Sequence, residues 1–176
     1  MRATLALIGL MSDSHGRAGR TAQALRMLID RGAEVVIHLG DVGDESVLDA
    51  LVERLDEQGR CDPPVHVVFG NVDGDPAGMG RYAEAIGLIC DHPAGRLTFD
   101  GKTLAFTHGD RPHLLDEAIA EGVDYLAHGH THLTRDDRVG RTRVVNPGAL
   151  HRAAWHTVAL LDTEADRLTI VRLPSE

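Results

Sequence analysis

The chain predicts an α/β fold in which a central sheet is covered by helices. Three observations carry that expectation. Apolar strand-like runs alternate with helical patterns through the first half, glycines punctuate the changes between them, and after Gly74 the pattern turns to paired strands.

The first strand is expected at 4–11, where an apolar run follows Arg2. That run faintly imitates a secretion signal, but it lacks a small-residue cleavage site and continues into Ser12-Asp13-Ser14-His15, so it reads as a buried strand. Ala22, Leu25, Leu28 and Ile29 then recur at helical spacing up to Gly32. A second strand is expected at 34–39, a second helix through Val47, Leu48, Leu51, Val52 and Leu55 up to Gly59, and a third strand at 65–69. Helical connections between successive strands imply parallel pairing. Gly74, Pro76, Gly78 and Gly80 read as a loop leading to a short helix at 82–86. Strands at 96–99 and 103–107 flank Asp100-Gly101, a strong two-residue hairpin signal. A helix at 113–121, a buried strand at 125–128 and shorter strands at 142–145, 157–162 and 168–173 complete the expected order.

With 176 residues, 43% hydrophobic and 26% charged, the chain suits a single domain over 1–176 that buries roughly two-thirds of its unfolded surface. Aromatics are scarce at 3%, so Leu, Val, Ile and Ala must fill the core. A net charge of −9 argues against a surface that grips nucleic acid nonspecifically, because that mode needs a stripe of Lys and Arg. Cys61 and Cys90 form neither a disulfide framework nor a CxxC pair, and no run approaches the roughly 18 apolar residues of a membrane span. A cytoplasmic protein without a membrane partner is expected.

The chemistry gathers where strands end. Asp13-Ser14-His15 follows the first, Gly40-Asp41 the second and Gly70-Asn71-Val72-Asp73 the third. His108-Gly109 follows the hairpin, and Gly129-His130-Thr131-His132 follows the strand after it. In sheets of this kind the carboxyl ends of neighbouring strands converge on one crevice. Seven side chains distant in sequence can therefore meet: Asp13, His15, Asp41, Asn71, His108, His130 and His132. Four imidazoles, two carboxylates and one amide exceed what one ion uses and suit two divalent ions, with a carboxylate shared between them. Such ions supply the positive centre for phosphate that an acidic surface lacks. Each motif alone has a plainer reading: Asp13 as a helix cap, Gly40-Asp41 as an ordinary turn, Asn71 as a turn residue and His108 as a core histidine. The conjunction at five strand ends carries the inference.

In order, DxH, GD, GNxD, HG and GHTH, followed by Asn146-Pro147-Gly148, resemble the calcineurin-like metallophosphoesterase superfamily, and within it the small bacterial and archaeal phosphodiesterases. The resemblance spans nearly the whole chain. It implies a four-layer fold, a double β-sandwich flanked by helices. It implies that Asp13, His15 and His132 hold one metal, that Asn71, His108 and His130 hold the other, and that Asp41 bridges them. Manganese is the usual metal in the family, with iron, nickel and zinc also found. Catalytic roles fall to Asp41, Asn71 and His108, Asn71 positioning phosphate with its amide, while a water bridging the two metals attacks phosphorus in line. A small phosphate ester is the implied substrate, and the family includes dimers and higher assemblies, so a homo-oligomer is compatible.

One departure matters. Larger relatives place a histidine, thought to protonate the leaving group, where Val72 stands here. Asp73 is an alternative acid, with a turn or supporting role as the plainer reading. Asp44 and Asp110 are candidates for orienting the imidazoles. His38 reads as a hydrogen-bonded core residue, and His151, after the Asn-Pro-Gly turn, as either a substrate neighbour or a surface residue. A noncatalytic protein-binding scaffold of the same fold, like the retromer subunit, is the competing function, and it would be expected to have lost metal ligands.

Overall fold

The computed structural model describes residues 7–99 and 101–175. The start of the expected first strand, 4–6, and the hairpin residue Asp100 lie outside the described residues. The chain runs β1 (Leu7–Met11), α1 (Ala18–Asp30), β2 (Val35–His38), α2 (Glu45–Ala50), β3 (Val65–Val67), α3 (Pro76–Ala85) and β4 (Ile89–Cys90). It continues through β5 (Ala94–Phe99), β6 (Lys102–Thr107), α4 (Pro112–Glu121), β7 (Tyr125–Ala127), β8 (Thr134–Val139), β9 (Thr142–Pro147), β10 (Thr157–Asp162) and β11 (Arg167–Arg172).

Two sheets result, in the orders β11-β10-β1-β2-β3-β4 and β5-β6-β7-β9-β8. Strands β1 to β4 are parallel in the first, and β6, β7 and β9 are parallel in the second, with antiparallel strands at the edges. The two-residue period of a strand divides each sheet between two cores. Ile8, Leu10, Val35 and Ile37 point between the sheets to meet Leu104, Phe106, Ala127 and Val145. Met11 and Val36, one residue out of phase, pack with Leu25 and Leu28 of α1 and with Val47 and Leu48 of α2. Ala118 of α4 covers Ala105, Leu126 and Val144 on the far side of the second sheet. Helices, sheet, sheet and helix therefore stack as the four expected layers, a double β-sandwich. Gly9 lets α1 lie close, since a Cβ there would stand 3.1 Å from the Leu28 side chain.

Four elements depart from expectation. The helix placed at 82–86 begins at Pro76, because Asp75 accepts a hydrogen bond from the Gly78 amide and proline suits the first helical turn. Two glycines within it permit close approach: a Cβ on Gly80 would stand 3.0 Å from Cys90 Sγ. The second helix ends at Ala50 rather than running through Leu55. Beyond it Asp56 accepts from the amides of Gln58 and Arg60, offering the backbone a turn in place of a helical bond. Strands β4 and β8 are additional. The sequence of β8, TRDDRV, is almost wholly exposed and lacks apolar alternation, so its pairing rests on backbone bonds to β9 and ion pairs such as Arg143 with Asp136.

Candidate metal centre

The parallel strands end on one side, and each delivers a loop to it. The loops after β1 and β2 are zipped together: the Leu39 amide donates to Met11, Asp13 to Gly40, His15 to Asp41 and Gly16 to Val42, each at 2.8 or 2.9 Å. This extends the parallel ladder beyond the strands while the chain turns sharply. Asp13, His15, Asp41, His130 and His132 all adopt left-handed backbone angles, with φ between 45° and 69°. Such conformations cost on the order of 1 kcal/mol each for residues with side chains, and they concentrate at functional sites. Among the described residues only Arg152 and Asp166 join them as non-glycine examples.

Two groups of donors result. Asp13, His15, Asp41 and His132 each offer an atom within 4.8 Å of the others, and Asp41, His108 and His130 do the same. Asp41 belongs to both. Its Oδ2 lies 3.5 Å from His15 Nε2 and its Oδ1 lies 3.3 Å from His108 Nε2. His132 Nε2 stands 3.0 Å from Asp13 Oδ1 and 3.3 Å from His15 Nε2. The His108 and His130 rings meet edge-on with centroids 5.1 Å apart.

The donor set fits divalent cations. His108 Nδ1 donates to the Leu39 carbonyl at 2.8 Å and His132 Nδ1 to the Arg152 carbonyl at 3.2 Å, because a carbonyl can only accept. With Nδ1 so engaged, each ring presents its Nε2 toward a carboxylate. His108 Nε2 and Asp13 Oδ1 are buried and have no hydrogen-bond partner in the described structure, an arrangement that a cation satisfies. Burial raises the Asp13 carboxyl pKa above its usual range. Burial pushes Asp41 in the same direction, but His108 beside it, the Val72 amide and His15 outweigh burial and hold it below.

Glycines make the close approach feasible. A Cβ built on Gly70 would overlap Asp41 Oδ1 and stand 2.6 Å from His108 Nε2. Asn71 follows Gly70 in an exposed turn, and the next amide, that of Val72, donates to Asp41 Oδ1 at 3.2 Å. The loop bearing Asn71 is thereby held against the group.

Asp73 is buried and fully engaged: it accepts from the amides of Val42, Gly43 and Gly70. It staples two loops together. Asp44 caps α2 through Ser46 and Asp110 lies beside Arg111, and among the described residues neither hydrogen-bonds an imidazole. Backbone carbonyls do that instead, and sequence reasoning missed them because every residue carries one. His38 is the core residue expected. The Gly40 amide donates to its Nδ1, so Nε2–H donates to Ser14 Oγ at 2.7 Å, and burial pushes its pKa down to about 3. His151 lies at the site, its ring centroid 5.8 Å from that of His15.

Comparison with known proteins gives a consistent result. The family model described as calcineurin-like phosphoesterase superfamily domain matches residues 7–166. Phosphodiesterase MJ0936 of Methanocaldococcus jannaschii is 29% identical over 89% of this chain and 93% of its own length. Phosphodiesterase YfcE of Escherichia coli is 28% identical over 79% and 76%. The solved structure of an archaeal phosphodiesterase superposes with a TM-score of 0.79 at 26% identity, covering 95% of this chain and 99% of that one. A zinc-complexed Vps29 from Entamoeba histolytica shares the fold, with a TM-score of 0.57 at 18% identity over 95% of this chain and 98% of the other.

Proposed function

The chain belongs to the calcineurin-like phosphoesterase superfamily, and on that premise we propose that it is a phosphodiesterase that uses two divalent metals to hydrolyse a small phosphate ester. The carrying observation is Asp41, whose two oxygens face different donor groups, one toward His15 and one toward His108. Asp13, His15 and His132 would hold one metal, and Asn71, His108 and His130 the other, with Asp41 shared by the two groups. Two divalent ions held there would supply an acidified water and neutralise charge on the phosphoryl oxygens. Manganese is the metal of first choice, with iron, nickel and zinc as alternatives.

The protein's own part is to hold these donors still. Leu39 and Arg152 fix the rings of His108 and His132, Asp73 fixes the two loops, and the Asn71 amide positions a phosphate oxygen. Val72 is 43% exposed and offers no proton, and Asp73 is occupied, so the favoured substrates are diesters whose leaving group departs as a stable anion. The names of the relatives MJ0936 and YfcE support a phosphodiesterase. A noncatalytic scaffold is the poorer reading, because every one of the seven expected ligand residues stands in the sequence.

Elemental analysis of the purified protein and turnover of bis(p-nitrophenyl) phosphate with manganese test the proposal together. Two metals per chain and a manganese-dependent rate are expected, with a loss on the order of a hundredfold or more in Asp41→Asn and His108→Ala. Absence of metal-stimulated turnover, or unchanged rates in both variants, refutes it.

A further inference from the structure

Besides the expected ligands, one further imidazole reaches the centre. His151 follows the Asn146-Pro147-Gly148 turn, in the segment that leaves β9 of the second sheet for β10 of the first. The turn grips the loop that carries His130 and His132: buried Asn146 donates through Nδ2 to the Gly129 carbonyl at 2.9 Å and to Thr131 Oγ1 at 3.2 Å, and its Oδ1 accepts from the Gly148 amide at 2.9 Å. Gly148 has a left-handed φ of 84°, and a Cβ there would stand 2.1 Å from Thr157 Oγ1, so the turn requires glycine. Beyond it the backbone is anchored on both sides of His151. The Leu150 amide donates to the Ser12 carbonyl at 3.0 Å, and the Leu150 side chain is fully buried in the core that also holds Leu25 and Val47. The Arg152 carbonyl accepts from His132 Nδ1 at 3.2 Å, and Arg152 itself holds a left-handed φ of 53°. Between these anchors the His151 ring is carried against His15, with centroids 5.8 Å apart and planes inclined at 59°.

The other imidazoles of the centre are committed. His108 and His132 each engage a carbonyl through Nδ1, His38 is closed off between Gly40 and Ser14, and His15 and His130 stand in the two donor groups. His151 stands in neither group, and nothing among the described residues hydrogen-bonds its ring. It is half-buried, so it packs on His15 while remaining accessible from solvent. An imidazole always carries at least one N–H, and a hydrogen bond from it to an anionic oxygen is roughly twice as strong as one between neutral groups. Because the backbone on either side is already fixed, little ordering is left to oppose such a bond when a ligand arrives.

Resting on the phosphodiesterase reading, we propose that His151 binds substrate, its ring N–H donating to a phosphoryl oxygen of the ester on the flank formed by Asp13, His15 and His132. The contact holds the phosphoryl group in one orientation and supplies no metal donor. It is a bond that no other imidazole of the centre is free to make.

Three variants separate that role from simple packing. His151→Leu keeps bulk beside His15 and removes the donor, whereas His151→Asn and His151→Gln carry an amide N–H near the places of Nδ1 and Nε2. Titration calorimetry of inorganic phosphate into manganese-loaded protein reads binding without turnover. The dissociation constant should rise on the order of tenfold in His151→Leu and return to within about threefold of the unsubstituted protein in one of the two amide variants. Elemental analysis should find the metal content unchanged in all three. Absence of phosphate binding in the unsubstituted protein, an unchanged constant in His151→Leu, or equal weakening in all three variants overturns the contact. Loss of metal alongside the weakening overturns it too, because His151 would then act only as a buttress for His15. Turnover of bis(p-nitrophenyl) phosphate by the unsubstituted protein decides the underlying reading separately: if phosphate binds as described while that ester stays intact, the phosphodiesterase fails and the His151 contact stands.

Discussion

Gly70 is the residue on which the centre's spacing depends most directly. Its missing side chain is what allows Asp41 and His108 to stand 3.3 Å apart with the third loop pressed against them. Gly70→Ala should displace that loop or the groups beside it by about an ångström, and a displacement of this size at a reacting centre costs about a hundredfold. Metal-dependent turnover measured beside an unchanged circular dichroism spectrum checks it. Asp73 makes the complementary case, since one carboxylate serves three amides. Asp73→Asn keeps the shape but loses acceptor capacity, so about 1–3 kcal/mol of stability should disappear in urea denaturation. Its alkaline pH limb of kcat should survive, whereas a leaving-group acid would take that limb with it.

At the scale of elements, the contrast between α3 and α2 shows what local sequence controls. Asp75 and Pro76 start α3 in a stretch rich in glycine, and Asp75→Ala should cost about 1 kcal/mol by thermal or chemical denaturation. The strand-end motifs were legible because glycine, aspartate and histidine are identified by type and because the preceding apolar runs mark where each strand stops. The residues 51–62 were not, because the apolar spacing of Leu51, Val52 and Leu55 continues a helical period that Asp56 ends by turn formation. Strand β8 was illegible for a different reason: its partners Asp166 and Arg143 come from elsewhere in the chain, so nothing in five polar residues and one valine announces a strand. Within the site, the seven candidate ligands could be named in advance, and six of them are brought together as two groups sharing Asp41. The carbonyls of Leu39 and Arg152 and the choice of Asp73 as staple depend on loop geometry, which side-chain identity does not encode.

For the molecule as a whole, the centre sits where both sheets end, so its loops couple the two sandwich halves. His130, from the second sheet's β7 loop, donates its amide to Asp13 of the first at 3.1 Å. Metal binding to donors from both sheets should therefore stabilise the fold globally. At a metal concentration a hundred times the dissociation constant the gain is about 2.7 kcal/mol, which corresponds to roughly 5–10 °C in Tm for a chain of this length. Differential scanning calorimetry with manganese and with chelator checks it, and the far-ultraviolet spectrum should match in both states. No helix among the described residues is long and apolar enough to cross a membrane.

The left-handed turns of Asp13, His15 and Asp41 are kept in place by amide-to-carbonyl bonds between neighbouring loops and by the Asp73 staple. The receptacle is thus a property of the backbone, and any ion it took would be a tenant of it. In evolutionary terms, a descendant of such a chain is free to replace a ligand, change its metal or abandon chemistry while its loops retain their shape. The same strand-end architecture can then pass intact from a hydrolase to a surface selected only for what docks there.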